Sequence, residues 1–362
     1  MDRRDFVVNI EQRMNRHRQQ MADSGTIMPT FPDVLVEIDD SIQCRFPRLA
    51  SFGLYHRDIP HLHRFEEKKT TFCDQFLRRI GIPERNQLFS PEDLRALKRE
   101  TKRCYRQNIR LPSGDDLVNM MLLDGCFMVE LFLQYEEARN VEPPWSVPWC
   151  VPSLIADLLK LENQLPFFIL ERLFELSNFG QGATLTTLAL RFLNQVFCSP
   201  SDVDNSQIVN PPKHLLDLFR SSLLPSTQEE ARQGNHSHWE YSIQSVKHLR
   251  NSGITVRKKT AKSLLEIEFR KVQLPLLALK IPPFEMNDWT RSILVNCVAL
   301  EQRSQDRDKH FTSYVCFMNY LVKEPEDVTF LRSVDIITNH PWQDEMRFIN
   351  MLNNLGRNFC FS

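Results

Sequence analysis

The sequence predicts a mainly α fold: a helical domain with a small antiparallel β-meander inserted in the C-terminal half. Three observations carry this. There are only 10 glycines in 362 residues, against the roughly 25 that average usage implies, which disfavours glycine-rich loops and large all-β folds. Residues 117–135 are apolar nearly all round, as in a helix buried on most sides. From Ile254 the apolar period drops to two and returns to helical spacing after residue 288. The 42% apolar and 25% charged content is that of a folded globular chain, and 45 basic against 46 acidic residues excludes a globally basic nucleic-acid binder.

Residues 1–33 open on a short polar helix candidate broken by Gly25, Pro29 and Pro32, and read as a loosely attached arm. The remainder, 34–362, reads as a single domain. Ser90-Pro91-Glu92-Asp93 supplies an N-cap hydroxyl, a proline where no N–H is needed and acids in the positive first turn, so a helix starts at Pro91. The apolar stretch 117–135 follows as the central helix. Four prolines in 139–152 make a stiff connector. Residues 153–177 fit two helices with a junction at Pro166. Polar stretches 199–212 and 225–239 read as mobile loops around a helix over His214 to Leu223. Ile254/Val256, Leu265/Ile267/Phe269 and Leu274 to Ile281 form the expected meander, with one face buried. Residues 288–322 and 324–355 resume helical spacing.

The charged N-terminus lacks the apolar core of a secretion signal, and the most apolar stretch, Leu117 to Leu133, carries Asp124 and Glu130. A chain without a membrane span, cytoplasmic or peripheral at the plasma membrane, is expected. Nine cysteines without a close Cys-x-x-Cys pair point to reduced, buried thiols.

The common nucleotide-binding, hydrolase and zinc-protease motifs are absent. His56, His61 and His63 beside Asp58 are interrupted by Pro60, and His236 and His238 lie in a polar loop, so no metal or cofactor site is expected. Asp124, in Asp124-Gly125-Cys126 of the apolar helix, must be paired or hydrogen-bonded, and a structural carboxylate is the expected role. Glu162, Asn163 and Gln164 before Pro166 are suited to satisfy backbone groups that the proline orphans, and Glu301-Gln302 invite the same reading. The feature with partner-binding character is the helix after Pro91. Arg95, Lys98, Arg99, Lys102, Arg103, Arg106 and Arg110 fall within an arc of about 140° at 100° per residue. Such a face suits an acidic protein or an anionic membrane surface; nucleic acid is disfavoured because no stacking aromatics or reading helix accompany it.

Several segments together resemble the plant domain-of-unknown-function family 247. They are Ser51 to His56 with Glu67-Lys68-Lys69, Arg103-Cys104-Tyr105, Met120 to Phe127 with Glu130, Leu161 to Phe168, His214 to Asp217, Ser252 to Ile254, and Asn296 to Gln302 with Asp327-Val328. Tyr55, His56, Asp124, Gly125, Glu162, Asn163, Gln164, Pro166, Glu301 and Gln302 are the structural positions so marked. The resemblance implies a mainly helical plant protein with no established enzyme activity, some relatives being implicated in self-incompatibility between pollen and stigma in grasses. It also implies a C-terminal membrane helix, which the residues up to Ser362 do not contain. Leu54 stands where the family commonly has proline, and the stretch from Pro47 to Ser51 is shorter than usual. The expected function is non-enzymatic recognition or signalling through an unknown protein partner. The rival is a cryptic enzyme whose pocket gathers Asp124, His56 and Glu162.

Overall fold

A computed structural model describes residues 28–32, 35, 43–105, 112–138, 150–179, 182–197, 210–224, 244–273, 276–285, 287–303, 309–338 and 345–357. A 3₁₀ turn at Pro60–Phe65 leads into α1 (Glu66–Ile80), whose first turn carries Glu66 and Glu67 and whose last carries Arg78 and Arg79, each complementing the helix dipole. Helix α2 (Pro91–Cys104) starts where expected, with the Ser90 hydroxyl accepting the Asp93 N–H at 3.2 Å. Helix α3 (Gly114–Glu137) is the central helix, capped by Ser113 and packed against α1, α2, α5 (Phe167–Leu176) and α6 (Leu185–Leu193). Gly125 lets α3 and α5 approach: a Cβ there would sit 2.5 Å from Leu173 Cδ1.

Helix α4 (Cys150–Leu158) precedes α5, and α7 (Leu215–Leu223) and α8 (Val246–Asn251) follow α6. The C-terminal half adds α9 (Asp288–Arg303), α10 (His310–Leu321), α11 (Pro325–Ser333, closed by a Glu324/Asp327 capping box) and α12 (Glu345–Arg357). One apolar core runs through both halves, from Phe52 and Phe127 to Val298, Phe311 and Leu352. No helix among the described residues is long and apolar enough to cross a membrane.

The structure corrects three expectations. The sheet is not an antiparallel meander: β1 (Thr255–Lys258) pairs parallel with β3 (Leu276–Ile281), β2 (Glu268–Gln273) pairs antiparallel with β3, and the order is β1-β3-β2. A second, parallel pair joins β4 (Phe284–Glu285) to β5 (Ile337–Thr338). The two helices expected on either side of a junction at Pro166 are present as α4 and α5, separated by the non-helical residues 159–166, with Pro166 at the start of α5. Residues 28–32 are not a loose arm: Met28 and Phe31 are buried, and the Met28 N–H donates to Cys104 O at 3.0 Å. The rest of that arm, the 139–149 connector and the loops near 199–212 and 225–239, apart from 210–212, lie outside the described residues. Finally, Cys44, Cys73, Cys104, Cys126, Cys150 and Cys297 are reduced thiols, whereas Cys316 is disulfide-bonded.

Candidate functional site

The last turn of α4 and the non-helical segment after it are where these buried polar side chains gather, and they hold stretches of backbone that no regular element satisfies. Asp157 accepts N–H bonds from Arg48 (3.0 Å), Leu49 (2.6 Å) and Ala50 (3.0 Å). Glu162 accepts the Phe31 N–H at 2.8 Å and takes Arg45 in a two-pronged pair at 2.5 and 3.1 Å. Asn163 accepts the Phe52 N–H at 2.6 Å and donates to Ala50 O and Asp157 O. Gln164 donates to Leu158 O and Lys160 O and accepts the Leu216 N–H at 3.0 Å. Pro166 caps α5, and the following Phe167 N–H reaches Lys213 O at 2.9 Å. These side chains tie chain segments more than 100 residues away in sequence to one internal hub.

Gly53 closes the hub from the other side. Its φ is +69°, and a Cβ would meet Gln164 O at 2.5 Å, so both backbone and space require glycine. The Gly53 N–H donates to Asp124 Oδ2 at 2.9 Å, and Asp124 Oδ1 lies 2.8 Å from the Lys69 ammonium. Lys69 also donates to Ser51 O and pairs with Glu66 at 2.6 Å, so its three protons are all taken. Burial opposes the Lys69 charge, but Asp124 and Glu66 outweigh it and hold its pKa above the ordinary value.

His56 is buried with Nε2 3.8 Å from Glu162 Oε2, too far for a hydrogen bond, and that nitrogen has no partner among the described residues. Burial, reinforced by Arg45 and Lys160 and only partly countered by Glu162, pushes its pKa down to about 4. Tyr55 donates from its hydroxyl to Met28 O at 3.2 Å. His61 and His63 are exposed whereas His56 is buried, and among the described residues no three donors are placed to hold a metal. In the C-terminal half Glu301 repeats the backbone-holding role on the Phe311 and Thr312 N–H groups while pairing with Arg220 at 3.1 Å, and Gln302 bridges Thr312 and Lys309.

The grouping of Asp124, His56 and Glu162 is thus half realised. His56 and Glu162 are neighbours; Asp124 belongs to the Lys69–Gly53 pair. All three are at most 4% exposed. A cleft around Tyr314 and Phe348 and another around Arg48 and Ser292 include none of them in their linings. Residue patterns alone missed Lys69, Asp157, Lys160, which donates to Cys44 O and Ser292, and Asn296, which accepts the Leu161 N–H, since a buried lysine or asparagine reads as surface; the Glu67-Lys68-Lys69 and Asn296 to Gln302 segments of the resemblance contain two of them. Asn163→Ala removes three hydrogen bonds from fully buried groups, and a loss of about 1–3 kcal/mol in urea unfolding is expected. An unchanged midpoint would reject the backbone-holding role.

On α2, Arg95, Arg99, Lys102 and Arg103 are exposed and form no ion pair with a described residue, while Lys98 is half-buried and reaches Asp115 at 3.5 Å. Arg106 and Arg110 lie outside the described residues. Leu97, Thr101 and Cys104 bury the opposite side of the helix.

A family model described as DUF247, plant protein of unknown function, matches residues 30–362. The UPF0481 protein At3g47200 of Arabidopsis thaliana is 32% identical over 323 residues, which are 81% of this chain and 65% of that protein. The putative UPF0481 protein At3g02645 of the same plant is 26% identical over 192 residues, 51% of this chain and 35% of that protein. The chain therefore spans less than two thirds of the length of the curated relatives it matches. No solved structure matches.

Proposed function

The chain belongs to the plant DUF247 family, and from that premise we propose that it is a non-enzymatic recognition protein that engages an acidic protein partner through the basic face of α2. One contrast carries the reading. The signature carboxylates and amides are occupied in holding backbone inside the fold, whereas four arginines and lysines of α2 stand exposed without internal acids. Like charges on one face cost little in water, and they attract and orient an acidic surface. Pollen–stigma recognition, which the resemblance implies for some relatives, is the form of this role we propose to test first.

Changing Arg95, Lys98, Arg99, Lys102 and Arg103 together to Gln is expected to leave the fold intact, since surface changes usually fall within about ±0.5 kcal/mol each. Affinity purification from pollen and leaf with the wild-type chain should recover partners whose retention falls steeply with salt, and the Gln variant should lose them. Recovery of the same proteins by both, with the same salt dependence, rejects the proposal. Anionic vesicles bound by the wild type and not by the variant, with no protein partner, would replace an acidic protein by a lipid surface.

A further inference from the structure

Strand β2 is an edge strand: among the described residues it pairs with β3 alone. Cross-strand partners share a face, so Val256, Leu279 and Phe269 lie in one row across β1, β3 and β2. Val256 and Leu279 are each 4% exposed, but Phe269 is 57% exposed. The core-side face of the sheet therefore runs past its own edge and ends in an uncovered ring. On the opposite face Arg257, Lys280 and Glu268 form the neighbouring row, with Arg270 beside them. Glu268 is shared by Lys259 (3.4 Å), Arg270 (2.5 Å) and Lys280 (3.6 Å), and Glu266 also reaches Lys259 (3.6 Å), so two carboxylates face these three cations and Arg257, and the row remains positive. Charged residues on an edge strand ordinarily discourage pairing; a bare phenylalanine in the core row does the opposite.

We infer that β2 receives an extended acidic segment of another protein as an added strand, its apolar residues covering Phe269 and its alternate acidic residues facing Arg270 and Lys280. This goes beyond the α2 reading, since it uses another element and main-chain hydrogen bonding rather than charge alone. Alternate residues of a strand point to opposite faces, so the two faces of β2 select a segment in which apolar and acidic residues alternate. A second copy of this chain fits less well, because pairing β2 with β2 sets two cationic rows side by side, and like charges opposite each other are destabilising.

The test is fluorescence anisotropy of the full chain with a labelled peptide of alternating Glu and Val, a peptide of the same composition with its Glu residues clustered, and the alternating peptide N-methylated on its backbone. The alternating peptide is expected to bind roughly tenfold tighter than either control. Phe269→Ser and Arg270→Glu should each weaken it by roughly fivefold at unchanged thermal midpoint, and the α2 Gln variant should bind like wild type. Absence of binding, or equal binding of the clustered or N-methylated peptide, overturns the inference. So does loss confined to the α2 variant, which would leave the α2 proposal standing. Phosphatidylserine vesicles or chain dimers that depend on Phe269, with the peptide indifferent to it, would assign the edge to a membrane or to a second copy and likewise overturn it.

Discussion

Lys69→Met is expected to destabilise the protein by about 3–5 kcal/mol, the usual cost of removing one partner from a buried ion pair. Methionine fills the space of the lysine stem, so the loss isolates charge from volume. Asp124 would be left 3% exposed with the Gly53 N–H as its remaining donor, and Ser51 O would lose its own. Adding Asp124→Asn keeps an acceptor for Gly53 and removes the lone charge, and should recover about half of the loss. Urea midpoints of the two single variants and the double variant measure this coupling. If Asp124→Asn gives no recovery in the Lys69→Met background, the pair is not what joins α1 to α3.

Most helices of this fold were legible because their signals are local. Ser90-Pro91 fixed the start of α2, and the apolar run 117–135 marked α3 as central. Helix α1 shows where local signals stop. Its sequence opens on Glu66-Glu67-Lys68-Lys69, which reads as surface, yet Lys69 is 2% exposed because a carboxylate from another helix waits for it. The junction before Pro166 was legible as a place where polar side chains satisfy backbone, and the type of role is as expected. Which backbone they satisfy was not legible, since Phe31, Ala50, Phe52 and Leu216 are brought there only by the tertiary fold. The sheet repeats the lesson. Period two assigns each side chain to a face, whereas the parallel pairing of β1 with β3 depends on how the chain between them is routed.

Acid should unfold this protein through two histidines. His56 and His214 are both buried, and burial pushes each pKa down from 6.5 to about 4. His214 is in addition fixed as the neutral N-cap of α7, its Nδ1 accepting the Asp217 N–H at 3.2 Å, a bond that protonation removes. As the pH falls, the unfolded chain takes up these protons first. The contribution to stability is therefore complete above about pH 6.5, lost progressively as the pH drops towards 4, and flat below that. Each histidine should forfeit about 2 kcal/mol between pH 7 and pH 5. Asp124 and Asp157 act with the opposite sign, since burial raises their carboxyl pKa values and the folded state then gains protons before the unfolded one. Comparing variants separates the two effects. His56→Gln removes one titrating group, and His214→Asn removes the other while keeping an N-cap acceptor. The double variant should lose about 4 kcal/mol less than wild type between pH 7 and pH 5, measured by urea unfolding at each pH. A pH slope equal to that of wild type would show that these two side chains are not the acid-sensitive groups of the fold.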